Sequence, residues 1–103
     1  MDRSELISLV KEVKTQDNLG VFHSESVKRD VFCNVSSVSA SEFFEGGRSG
    51  LNPAFRMSLF YADYDGEEIL EYKGKTYSIY RTFLKGTDTL ELYVERKGGT
   101  NGR

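Results

Sequence analysis

The chain has 103 residues, 38% hydrophobic, 13% aromatic and 29% charged, with a formal net charge of -2. A chain of this length is one small domain burying only ~60–70% of the surface it exposes when unfolded, so a partner or self-association is expected to support it. The acidic balance argues against a grip on duplex DNA through its phosphates, which needs a basic face. No signal peptide is visible, and no apolar run approaches the ~18 residues of a membrane span.

The first segment fits two elements. Leu6, Leu9 or Val10, and Val13 fall at helical spacing behind Ser4 as a possible N-cap. The same residues, rich in Ile and Val and ending at the turn residues 17–20, also fit a strand. The period alone leans toward helix. Residues 21–38 read as a long extended stretch whose polar centre, residues 24–30, is expected to bend or break it. Val31, Cys33 and Val35 then alternate with Phe32, Asn34 and Ser36, the period of a half-buried strand. Serines lead into Glu42, Phe43, Phe44 and Glu45, a helix-start signal. Gly46, Gly47 and Gly50 are expected to stop that helix early, and Pro53 breaks the chain again. Residues 39–53 therefore read as a short helical turn followed by a mobile loop.

A strand meander follows. Phe55, Met57, Leu59 and Tyr61 share one face of a first run. Gly74 sits at a reversal between residues 68–72 and 76–84, where glycine accepts positive φ without a Cβ clash. Leu90, Leu92 and Val94 share one face of the last run, with Glu91, Tyr93 and Glu95 opposite. The Gly-rich residues 98–103 are expected to fray. No repeat and no linker divides the chain, so residues 1–103 form a single, all-β domain.

Chemistry-bearing groups are sparse. Cys33 is the only cysteine and His23 the only histidine, and they lie in different stretches. A nucleophilic cysteine needs a base in reach, so Cys33 reads as a small strand residue in a reducing compartment. Asp63, Asp65, Glu67 and Glu68 surround Gly66 but lack the ligand spacing of an EF-hand. They read as a turn with solvated acids. Residues 46–50 have the glycines of a phosphate loop without its lysine. No catalytic residue, cofactor or metal is expected. Six tyrosines and seven phenylalanines fit a stacking platform for single-stranded nucleic acid, strand packing, or a protein interface. The net acidity favours packing plus interface. Phe43 and Phe44 are the sharper signal, because two adjacent phenylalanines on one helical turn cannot both enter the same core.

The ordered set Val31-Phe-Cys-Asn-Val35, Ser37-Val-Ser-Ala-Ser-Glu42-Phe43, Gly50-Leu-Asn-Pro53, Phe55-Arg-Met57, Tyr64-Asp-Gly-Glu67, Tyr72 through Thr82 and Glu91-Leu-Tyr93 resembles the phage head–tail joining family. These are the connector, head-closure or stopper proteins of long-tailed phages and prophages of Gram-positive bacteria. Asp17-Asn-Leu-Gly20 fits that family's first turn, and the resemblance runs from about Leu6 to Glu95. It implies a small antiparallel β-barrel, with a first strand from Leu6 to about Thr15 and a long loop containing a short helical turn. It implies a virion protein, present in the bacterial host cytoplasm before assembly, that self-associates into a ring below the portal and adaptor. That ring closes the DNA exit channel and offers a docking face to the tail-terminator proteins, with passive contact to DNA and none to membrane. The segment matching residues 39–55 projects near the channel in such rings, which makes Glu42, Phe43, Phe44, Arg48, Leu51 and Asn52 the interface and channel-loop candidates. The alternatives are a tail-completion protein and a small β-barrel that binds single-stranded nucleic acid.

Overall fold

A computed structural model describes residues 5–97; Ser4 and residues 98–103 lie outside the described residues. Six strands close into an antiparallel barrel in the order β1-β2-β3-β6-β5-β4. They are β1 Glu5–Gln16, β2 Phe22–Ser37, β3 Pro53–Phe60, β4 Ile69–Tyr72, β5 Lys75–Lys85 and β6 Thr89–Arg96. One helix, α1 Ala40–Arg48, joins β2 to β3, and a 3₁₀ turn, Tyr61–Asp63, follows β3.

The period-2 pattern places the core. Val31 and Cys33 of β2, Met57 and Leu59 of β3, and Leu90, Leu92 and Val94 of β6 all point inward and are buried. Ile7 and Leu9 of β1, Leu70 and Tyr72 of β4, and Tyr77 of β5 complete the interior. Phe55 packs edge-on against Tyr72 and Tyr77, with ring centroids 5.7 Å apart in both pairs. Tyr61 leaves the pattern because the chain turns into the 3₁₀ segment there, and it is exposed. The β4–β5 reversal uses Lys73 and Gly74, both at positive φ (51° and 77°). That is the backbone sense of a two-residue hairpin turn matched to strand twist.

The first segment is a strand. Its helical spacing loses to pairing on both edges: Leu9 sits opposite Arg29 of β2 and Leu70 of β4, and Ile7 and Leu9 both enter the core. The expected break at residues 24–30 does not occur, because every residue from Phe22 to Cys33 has a partner on β1. Beyond the barrel wall, these two strands continue as a free-standing ribbon. Residues 11–30 are all exposed, and only β1 and β2 pair there. This arm contributes to an elongated shape of 51 × 35 × 22 Å.

Candidate functional site

Helix α1 begins where the serines predict. Ser39 is the N-cap, and its hydroxyl accepts from the Glu42 N–H at 3.1 Å. The helix does not stop at the glycines, however; Gly46 and Gly47 lie inside it. Gly46 is buried against β3, where an added Cβ would stand 2.5 Å from Pro53 Cγ, so its role is close approach. The stop comes at Gly50, at φ +83°. Leu51 N–H donates to the Gly46 carbonyl at 2.8 Å and Gly50 N–H to that of Gly47 at 3.1 Å, the paired bonds of a Schellman ending. The chain after the helix is also tied down, with Asn52 N–H donating to Glu95 Oε1 at 3.1 Å. The expected mobile loop is thus a capped helix followed by a pinned connection.

The helix divides the six interface candidates. Glu42 faces the barrel: it accepts from Tyr80 Oη at 2.6 Å and from the Arg81 guanidinium. Consecutive strand residues normally face opposite ways. A register shift between Ile79 and Arg81 lets both Tyr80 and Arg81 reach one carboxylate. Arg81 in turn lies 4.1 Å over the Tyr93 ring. Burial and the Glu42 carboxylate push the Tyr80 phenol up, and burial and Glu91 do the same for Tyr93. Glu42 therefore fastens the helix to β5. Phe43 and Phe44 are both exposed, 49% and 67%, with their rings 5.8 Å apart edge to face. Arg48 is exposed beside Glu45 at 3.5 Å. Leu51 is half-buried and Asn52 exposed.

Two acids depart from the sequence reading. Glu67 is buried, not solvated. Its Oε2 accepts from Arg29 Nη2 at 3.0 Å and its Oε1 from the Asp65 N–H at 2.8 Å, while Tyr64 Oη donates to its carbonyl at 2.6 Å. Burial pushes its carboxyl up, but the N–H donors and Arg29 outweigh that and hold it below the ordinary 4.5. Lys11 adds a pair to Asp65 at 2.7 Å, and Lys28 one to Glu71 at 3.1 Å. These three pairs clamp the root of the β1–β2 arm to the segment running from the 3₁₀ turn into β4. Glu91 also lies under cover on the outer face, accepting from Tyr93 Oη at 3.0 Å.

The tyrosines do not form a platform. Tyr72 and Tyr77 are core residues, while the phenols of Tyr80 and Tyr93 are bound to carboxylates. Cys33 is completely buried, and burial pushes its thiol up to about 12. Among the described residues no group of three His, Cys, Asp or Glu converges as a metal site, and no helix is long and apolar enough to cross a membrane.

The arm is the feature that the sequence reading missed. Its signal is mirror symmetry: on both sides of residues 17–20, in β1 and in β2, the alternation lapses into mixed polar residues over the same length. No family model matches the chain, and no curated protein is significantly similar to it.

Proposed function

We propose that this chain is a structural subunit of a phage head–tail connection. It assembles as a ring below the portal and adaptor, closes the DNA exit channel and offers a face to the tail. The observation that carries this reading is helix α1. One side is bound to the barrel through Glu42 and Gly46, while the other holds Phe43 and Phe44 out in water. Two neighbouring exposed aromatics on a rigidly seated helix suit a contact with another subunit. The resemblance carried by residues 31–93 supplies the assembly, and the net charge of -2 suits a channel that lets DNA slide without gripping it. In this reading the protein performs no catalysis; its work is burial of these surfaces in the virion.

The test is the double substitution Phe43→Ser and Phe44→Ser. Because both rings are exposed, stability is expected to change by no more than about 1 kcal/mol. Heads and tails mixed with this variant should fail to join, counted by electron microscopy against the wild-type protein. Normal joining by a folded double variant would refute the role of α1.

A further inference from the structure

The free end of the arm is a rigid apolar knob. Leu19 is 87% exposed, Val21 50% and Phe22 71%. Such residues on a loop tip would ordinarily be mobile, yet Asp17 locks this turn. Its Oδ1 accepts from the N–H groups of Leu19 at 2.9 Å and Val21 at 3.0 Å, and its Oδ2 pairs with His23 Nε2 at 3.0 Å. Asp17 N–H donates to the Val21 carbonyl and Gly20 N–H to that of Asp17, and the Gln16 amide closes on Gly20. An apolar tip held in one shape loses little entropy on docking.

The same chain carries a matching hollow. At the foot of the arm, an open hollow of about 510 Å3 is lined by Val31, Phe32 and Phe60 and rimmed by Arg29, Asp30 and Asp63. Phe32 is 60% exposed there. The knob cannot reach its own hollow. Seven residue steps along the strand carry the chain from the Leu9–Arg29 pair to the Gln16–Phe22 pair, about 23 Å at ~3.3 Å per step. Charge also matches: Lys14 flanks Phe22 at the tip, and two aspartates stand at the hollow. Arg29 at that rim is already engaged by Glu67.

We infer that the arm of one copy seats Leu19 and Phe22 in the Phe32–Phe60 hollow of a second copy. The contact is head to tail, so each joined pair keeps one knob and one hollow open, which propagates to a ring or a filament. The inference rests on the reading of the chain as a self-assembling structural subunit, and it names the surfaces that subunit uses.

The test uses sedimentation of the full chain over a concentration series. Wild type should self-associate, and Phe22→Asp and Phe32→Asp should each weaken association at least about tenfold. An equimolar mixture of the two variants should form a one-to-one dimer, because one intact knob meets one intact hollow. A reciprocal two-fold exchange of arms would be rescued in the same way, but its wild type stops at a dimer; the head-to-tail contact carries the wild type beyond a dimer, and a wild type that stops at a dimer would overturn it. A wild type that stays monomeric at millimolar concentration, variants that associate like wild type, or no rescue on mixing would overturn the inference. If Phe32→Asp does not fold, Leu19→Cys and Phe32→Cys chains replace the pair. They should cross-link on mild oxidation more when mixed than when alone, and equal yields would overturn the inference. Association that survives Phe22→Asp but is lost in the Phe43/Phe44 double variant would retain the assembly reading and remove the arm. Arm-dependent association by a protein that joins no heads to tails would do the reverse.

Discussion

Replacing Glu67 by glutamine tests the clamp at the arm's root. Glutamine keeps the shape and an acceptor for the Asp65 N–H, so the change is confined to the charge facing Arg29. A hydrogen bond to a charged group contributes ~1.5–3 kcal/mol. The Glu67 side chain is only 3% exposed, which argues for the upper part of that range, but the Arg29 side chain is 43% exposed and can rehydrate. The expected loss at pH 7 is therefore about 1.5 kcal/mol, read from urea unfolding followed by far-UV circular dichroism. In a domain this small that corresponds to a fall of roughly 5–10 °C in Tm. The pH dependence has a definite sign. The folded-state value lies below the ordinary 4.5, so the contribution is complete above 4.5 and is lost as pH falls through the folded value. Asp17, held low by His23, is shared by both proteins and cancels in the difference; Asp65 keeps its principal partner, Lys11, in both but also faces Arg29, so it couples weakly to the change. The gap between wild type and Glu67→Gln should close toward pH 3. A gap below ~0.5 kcal/mol at pH 7, or one that persists undiminished at pH 3, would refute the assignment.

Two further outcomes follow from packing. Gly46→Ala should cost about 1–3 kcal/mol, because its methyl meets the Pro53 ring, whereas Gly47→Ala has nothing within 4 Å and should gain ~0.5–1 kcal/mol; equal effects in urea unfolding would show that α1 does not sit against β3. Cys33, buried and with its thiol pushed up to about 12, should resist a thiol-reactive dye at pH 8 and react at one equivalent in denaturant; rapid native-state labelling would contradict the packing.

The strands of the inner wall were legible because they obey a period of two, whereas their closure into a barrel was implied only by the resemblance. Met57 and Leu59, or Leu90, Leu92 and Val94, announce one buried face without reference to anything distant. The first strand was not legible by that route, since only Ile7 and Leu9 enter the core and Leu6, Val10 and Val13 imitate a helix. Its identity is decided by partners on β2 and β4 that lie distant in sequence. The candidate site was half legible. Two adjacent phenylalanines could not share a core, and both are exposed. Glu42 stood among the interface and channel-loop candidates because its partners, Tyr80 and Arg81, are 38 and 39 residues away and meet it only through a bulge. Glu67 misled for the same reason: an acid beside Asp65 and Gly66 resembles any turn until Arg29 arrives from another strand.

The placement of charge then explains how a thin protein could hold two contact surfaces at a set angle. A two-stranded ribbon has little stability of its own in water, and no third strand pairs with residues 12–27. Its direction is set at the root, where Lys11, Lys28 and Arg29 meet Asp65, Glu71 and Glu67. Over a lever of about 23 Å, a tilt of roughly 10° displaces the tip by about 4 Å, more than the width of one methyl contact. Hydrophobic residues at the root would stabilise the arm without choosing its angle, whereas paired charges with fixed donors accept few geometries. The helix is held in the same manner, by Glu42 between Tyr80 and Arg81 on β5. Both surfaces are thus referred to one closed barrel. In a head-to-tail assembly, the angle between the two contacts on each subunit decides whether the array closes, so the polar clamps would act on ring geometry more than on stability.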